Sequence, residues 1–335
     1  MVDASVMKKL SGYDLSGYSL VGSDLSSAQL KQATLRGANL AGADLSSADL
    51  TQADLTGANL SGADLYQAKL AGAKLTGANL SHCDATSADL RDAELTGANF
   101  QNAKLSEAKL VSAQLGSVNF SECDLSGANL SKAHLVGADF DRANLNRSNL
   151  SGAKLFGAKL NNAKLRNANL RSADMTAAKL KNSDIQDADL VESKLFSADL
   201  SNSILVNANF ESANMRSTIV SGANLKNADL NAADLSNSRL TRANFSHASF
   251  EEGNLWSSRV SGSVFTQANM TATNLLATGL NKKFALSEFP DIKHSDSTSW
   301  DDENYKRHQV SLVQAKAIET EVAKRGFFSR MFRRR

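Results

Sequence analysis

From Leu10 to Leu280 every residue whose number is a multiple of five is apolar, 55 units in succession without a slip. Most are Leu; the others are Phe, Met, Ile or Val, with Ala85 the smallest. Two positions before each stands a small residue, usually Ala, and between the two stands Asp, Asn or Lys, as in Ala38-Asn39-Leu40, Ala43-Asp44-Leu45 and Ala48-Asp49-Leu50. A helix needs an apolar spacing of 3.6 and a half-buried strand one of 2, so a strict five suits neither. The chain must turn once per unit. Within a unit the small residue and the leucine are two apart, so an extended segment points both to one side and the residue between them away. The other two positions are rich in Ser, Thr, Gly, Asn and Gln, which favour turns.

This grammar, A(D/N)LXX from Leu10 to Leu280, resembles the pentapeptide-repeat family. The resemblance implies an all-β solenoid, a right-handed quadrilateral β-helix in which four units close a 20-residue coil with leucines and alanines inside. About 13–14 coils would then stack at roughly 4.8 Å each into a rod about 65 Å long. The single proline of the chain, Pro290, lies beyond the repeats, as a ladder of backbone donors demands. Ala85 would leave a small void beside Cys83.

Both ends of such a stack need covering. Residues 1–9, with Tyr13 and Tyr18 at normally small positions, read as a lower cap. Residues 281–299 read as an upper cap and linker: Phe284, Leu286, Phe289 and Ile292 cover the last coil, and 293–299 link onward. Ser299 and Asp302 resemble a capping box that opens an amphipathic α-helix over 300–325, with Tyr305, Leu312, Ala315 and Val322 on one side and Gly326 closing it. The last segment, 326–335, gathers Phe327, Phe328, Met331 and Phe332 into one arc, with Arg330 and Arg333 opposite and Arg334 and Arg335 following. Apolar bulk facing arginine suits an anionic membrane surface. Lys324 to Phe332 also resembles the C-terminal membrane-targeting helices of bacterial peripheral proteins such as the Min-system ATPase.

Formal charge is +2, unevenly placed: residues from 281 onward hold 12 Lys+Arg against 8 Asp+Glu, which leaves 25 and 27 for the rest. A nearly neutral rod gives no reason to expect direct nucleic-acid binding. With no charged-then-apolar start and no apolar run of membrane-spanning length, the expectation is a cytoplasmic protein, attached peripherally at most. Cys83 and Cys123 take the inward small position two coils apart, too far for a disulfide within one molecule, and read as stand-ins for alanine. The three rod histidines, His82, His134 and His247, are scattered over different edges, which gives no metal site. No phosphate loop, nucleophile elbow or catalytic carboxylate pair stands out, so neither an enzyme nor a cofactor is expected.

Residues 20 apart should stack. Phe100, Phe120 and Phe140 then form an internal aromatic column, and Asn39, Asn59, Asn79, Asn99 and Asn119 an outward amide ladder. One outward column stands apart: Val136, Phe156, Phe196, Trp256 and Leu276 share an edge, whereas the corresponding columns elsewhere are mostly polar, with exceptions such as Tyr66, Val111 and Val206. Large apolar side chains aligned on a rigid rod suit a protein partner, either another protein or a second copy. The reading is therefore a non-enzymatic scaffold. The resemblance also implies an alternative, since some family members imitate DNA and occupy type II topoisomerases such as gyrase; residues 1–100, with 11 acids against 7 bases, are the more acidic stretch.

Overall fold

The computed structural model of the protein describes residues 8–280, 288 and 291–300. Within them the chain is a four-sided coil in which each edge holds one five-residue unit. Residue 9 pairs in parallel with 29, 14 with 34, 19 with 39 and 24 with 44, and the 20-residue step continues to Asn254 and Asn274. If the inward leucine is called position 5 of its unit, position 1 follows it at the corner, position 3 is the small inward residue and position 4 points outward.

The backbone accounts for the repeat. A position 5 N–H donates to the position 4 carbonyl one coil on (Leu40 to Asn59, 2.7 Å), and a position 2 N–H to the position 1 carbonyl one coil on (Gly42 to Ser61, 2.9 Å). The position 4 N–H reaches the coil before (Asn59 to Ala38, 2.9 Å). Position 3 closes the corner by donating to the preceding position 5 (Ala43 to Leu40, 3.0 Å). Position 2 has φ between 53° and 73° in every unit from Gly12 to Ala277, the left-handed conformation that the third residue of a type II turn requires. Glycine takes it without strain, but many units place Asn, Ser, Gln or even Arg there. One donor remains, the N–H of position 1. The outward Asp or Asn two residues earlier accepts it, as in Ser46 to Asp44 Oδ1 (2.9 Å) and Thr51 to Asp49 Oδ1 (3.0 Å). The outward Asp or Asn thus makes an Asx turn at more than half of the corners.

At four of the corners where lysine or serine replaces the carboxylate or amide, a neighbour from the coil before takes over. Above Lys159, Lys164, Lys179 and Ser249, the position 1 N–H groups of Asn161, Arg166, Lys181 and Glu251 donate to Asp141, Asn146, Asn161 and Asn231. Two adjoining coils therefore share the task, because a buried or half-buried donor without an acceptor costs about 1–3 kcal/mol.

The bore is dry and continuous. Every position 5 residue from Leu25 to Leu275 is buried, Ala85 included. Phe100, Phe120 and Phe140 stack with ring centroids 5.1 and 5.2 Å apart. A second cluster forms near the upper end, where Phe245 stacks on Phe265 at 5.2 Å with Phe250 edge-on. In the upper half, Ser or Thr often replaces Ala at position 3, and the buried hydroxyl usually donates to a backbone carbonyl, as in Ser183 to Leu180, Thr218 to Met215 and Thr273 to Phe250, whereas the buried Ser193 hydroxyl has no partner among the described residues. Outside, the amides of Asn39, Asn59, Asn79, Asn99 and Asn119 form the expected ladder, with N···O distances of 3.0 to 3.4 Å. Cys83 and Cys123 are buried and free; burial pushes both thiols up, that of Cys123 to about 12, which removes thiolate reactivity at neutral pH.

At the lower end Leu10, Leu15 and Leu20 are only partly buried, and Tyr13 and Tyr18 stand exposed with no described coil beneath them. Residues 1–7 of the expected cap lie outside the described residues. The upper end departs from the reading of 293–299 as a linker. Lys293 pairs with Asn269 and Ser299 with Asn274, so 291–300 add two further edges to the rod, with Ile292 and Trp300 buried on its core. The multiples-of-five register is lost across the intervening residues, which hid this return from the sequence. Phe284, Leu286, Phe289, most of the 300–325 helix and all of 326–335 lie outside the described residues.

Asp14, Asp24 and Asp49 have pKa values below the usual carboxylate range because the hydroxyl, then the N–H, of the residue two on donates to them. At Asp54, Asp84 and Asp199 burial is the largest single influence and raises the pKa, but the hydroxyl and N–H of Thr56, Thr86 and Ser201, together with Arg36, Lys104 and Lys181, bring the net shift below the usual value. A carboxyl depressed in the folded state stabilises it above the unfolded pKa, and this contribution is lost as pH falls through the lower folded value. Thermal melts should therefore hold from neutrality to about pH 5 and drop below about pH 4. Asp49→Ala should cost about 0.5–1.5 kcal/mol at pH 7 and Asp49→Asn much less, because the amide keeps an acceptor for Thr51; equal losses for both variants would contradict the corner accounting.

Candidate interaction ridge

Position 1 side chains leave the rod at its corners, where most are exposed or half-buried among the described residues, with Val191 and Ser236 buried. On one corner the sequence places Val136, Phe156, Phe196, Trp256 and Leu276 there, and the structure brings all five into a single line, exposed by 47, 52, 43, 46 and 45%. The ladder fixes their spacing: the carbonyls of Val136, Phe156, Phe196, Trp256 and Leu276 each accept an N–H from position 2 one coil before (Ser117, Gly137, Ala177, Asn237 and Ser257) at 2.8 or 2.9 Å. Trp256 and Leu276 are further held by Asn254 and Asn274, whose Oδ1 atoms accept their N–H groups. A rigid backbone thus presents the row at multiples of about 4.8 Å.

The row is not continuous. Thr176 separates Phe156 from Phe196, and Arg216 and buried Ser236 separate Phe196 from Trp256. Arg216 leans toward Asp234 at 3.8 Å. Beside this gap lies a shallow depression of about 400 Å³, floored by Ser217, Asn237 and Ser257 and bordered by Ile219, Arg239 and Arg259.

The feature that sequence reading missed is the stripe next to the row. Position 2 of the same corner reads Ser117, Gly137, Gly157, Ala177, Ser197, Ser217, Asn237, Ser257 and Ala277, with hardly a long side chain among them. The equivalent stripes on the other corners carry residues such as His82, Arg142, Arg147, Glu192, Arg242 and Glu252. The signal was present as a second 20-residue column one place along. Together, bulky apolar side chains and a bare neighbouring stripe make a step into which another chain can lie close. The remaining exposed apolar side chains away from the lower end, Tyr66 and Ile204, lie off this corner.

Nothing in the described residues resembles a catalytic or metal centre. No group of three His, Cys, Asp or Glu that could hold a metal ion occurs among them, nor any helix long and apolar enough to cross a membrane. The membrane-directed residues Phe327, Phe328, Arg330, Met331, Phe332, Arg333, Arg334 and Arg335 lie outside the described part.

Two family descriptions match the chain: a pentapeptide repeat region over residues 93–170, and pentapeptide repeats in 8 copies falling between residues 23 and 267. Among solved structures, HetL, a pentapeptide repeat protein involved in heterocyst differentiation regulation in the cyanobacterium Nostoc sp. strain PCC 7120, is 30% identical over 69% of this chain and 88% of its own, with a TM-score of 0.36. Rfr23 from the cyanobacterium Cyanothece 51142 is 26% identical over 31% of this chain and 64% of its own, with a TM-score of 0.18. The plasmid-mediated fluoroquinolone resistance protein QnrB1 is 14% identical over 86% of this chain and 90% of its own, with a TM-score of 0.24. Among curated protein sequences none matches.

A ridge that serves contact and not the core predicts a separation of effects. Phe156→Ser and Phe196→Ser should each change stability by no more than about 0.5 kcal/mol, whereas Phe120→Ala, in the stacked bore, should cost about 3–5 kcal/mol. Urea melts check both; a large loss on Phe156→Ser would return that residue to the core.

Proposed function

The chain belongs to the pentapeptide-repeat family, whose fold is the right-handed quadrilateral β-helix, and from that premise we propose that it is a non-enzymatic scaffold that binds a protein partner along the corner of Val136, Phe156, Phe196, Trp256 and Leu276. The alignment of these side chains beside a bare stripe carries the reading. Large apolar side chains held in a line on a rigid support suit a protein interface, where a few aromatic anchors supply most of the energy. The basic aromatic segment 326–335 then tethers the scaffold to the cytoplasmic face of a membrane, because its phenylalanines suit the lipid boundary and its arginines the anionic headgroups.

One observation favours a second reading in the lower third. Asp24, Asp44, Asp64 and Asp84 stack in consecutive coils, a line of negative charge at about 4.8 Å intervals. Such a line is the kind of surface by which a protein imitates DNA before a type II topoisomerase. Against it, Lys8 and Lys104 close the two ends of the line at 3.6 Å each, and Lys159 neutralises Asp139 higher up at 3.0 Å. Many of the carboxylates are already engaged at corners. A gyrase supercoiling assay with the full chain, with and without a quinolone, separates the readings: protection or inhibition supports mimicry, and no effect leaves the scaffold.

Replacing Phe156, Phe196 and Trp256 together by Ser should abolish recovery of the protein partner from native cells, at about 2 kcal/mol or more for each true anchor; a partner retained by this variant would remove the corner from the interface. Residues 326–335 fused to a fluorescent reporter should bind vesicles containing phosphatidylserine and release them as salt rises, whereas a reporter that stays fully soluble would remove the tether.

A further inference from the structure

The rod's last described residue lies at the head of the ridge. Thr298, Ser299 and Trp300 form an edge on top of Thr273, Asn274 and Leu275: Leu275 N–H donates to the Ser299 carbonyl at 2.7 Å, and Ser299 N–H to the Thr273 carbonyl at 2.9 Å. Trp300 occupies the place above Leu275 and is buried on the core. The described edge therefore ends beside the corner above Leu276, the uppermost side chain of the exposed row.

We propose that the segment 301–325 of this same chain turns down from that corner and packs as a helix along the ridge, covering Leu276, Trp256, Phe196 and Phe156. Length and shape support this occupant. Leu276 and Val136 are 140 positions apart, seven 20-residue steps, or about 34 Å at ~4.8 Å per step. A helix over residues 301–325 is about 37 Å long, so it spans the row without overshooting the rod. The bare stripe from Ser117 to Ala277 lets a helix approach the backbone, and the side that carries Tyr305, Leu312, Ala315 and Val322 is the apolar face available to meet the row. The segment's five acidic and five basic residues cancel, so net charge favours no site; Glu319 and Glu321 would fall about 27–30 Å below the corner, near the level of Lys154 and Lys179. Covering the row by a tethered segment also needs no second molecule, since the local concentration of a segment joined directly to the site is in the millimolar range. An outside protein then binds the ridge by displacing 301–325. The inference does not depend on that partner, because its readouts concern the isolated chain.

The two tryptophans of the chain supply the test. Trp300 is buried, so iodide, which does not enter a protein core, reports chiefly on Trp256. In the full-length protein Trp256 should be shielded. The variant Leu312→Asp with Val322→Asp should raise iodide quenching about twofold or more, as an aromatic side chain returns from a packed face to water, with an emission shift to the red. In the unaltered full-length chain, zero-length carbodiimide coupling should join Glu319 or Glu321 to Lys154, Lys179 or Lys194 within monomers, a result that stands even if the variant fails to fold. Equal quenching of a folded variant and the parent chain overturns the proposal. So does coupling found only in covalent dimers, or shielding that disappears on dilution, since either assigns the ridge to a second copy.

Discussion

A coil of five-residue edges lives or dies by the fate of its backbone N–H groups. Three of the five in each unit bond to the coils above and below, and a fourth closes the turn. The fifth, at the corner, has no backbone acceptor, and the outward Asp or Asn supplies one. This single requirement explains why the residue between alanine and leucine is so seldom apolar, and why the rod is studded with carboxylates and amides that have no need of a ligand. It also explains the pattern of exceptions. Lysine enters the outward position without loss where the coil before offers Asp141, Asn146 or Asn161 to the orphaned N–H.

The same accounting bears on how surface charge should be interpreted. A carboxylate that accepts from the N–H and hydroxyl two residues on is already engaged, as Asp54 is by Thr56 and Asp199 by Ser201. Counting such residues as acidic surface overstates the field they present to a partner. The exposed apolar row has no comparable internal task. Its side chains neither fill the bore nor satisfy a backbone group, which is why the proposed interface is placed there and not on the far more numerous aspartates.

Much of this was legible from residue order alone, because a 20-residue stack turns arithmetic into contact. The stacked rings of Phe100, Phe120 and Phe140, the Asn39 to Asn119 ladder and the alignment of Phe156 with Trp256 all follow once the step is known. Two things were not legible. The return of Lys293 and Ser299 onto Asn269 and Asn274 breaks the step, and only contact reveals it. The bare stripe beside the ridge escaped notice because small residues at a turn look like ordinary turn chemistry until the other corners are seen to carry arginine, glutamate and histidine in the same place. The Phe245, Phe250 and Phe265 cluster could have been found from the 20-residue step, but it spans two edges of the coil and so falls outside a column-by-column reading.

The ridge inherits a ruler from the ladder. Its anchors can stand only at whole multiples of about 4.8 Å, while the turns of an α-helix recur every 5.4 Å. The two scales drift apart by half a coil after about four coils and come back into phase only after about nine, near 43 Å. A helix laid on this corner would engage Leu276 and Trp256 nearly in step, would be furthest out of step about four coils down, at Phe196, and would be returning toward phase at Phe156 and Val136. The vernier between the two periodicities, as much as chemistry, therefore selects what can lie there, and a partner that keeps every anchor must bend, or meet the row in some form other than a straight helix.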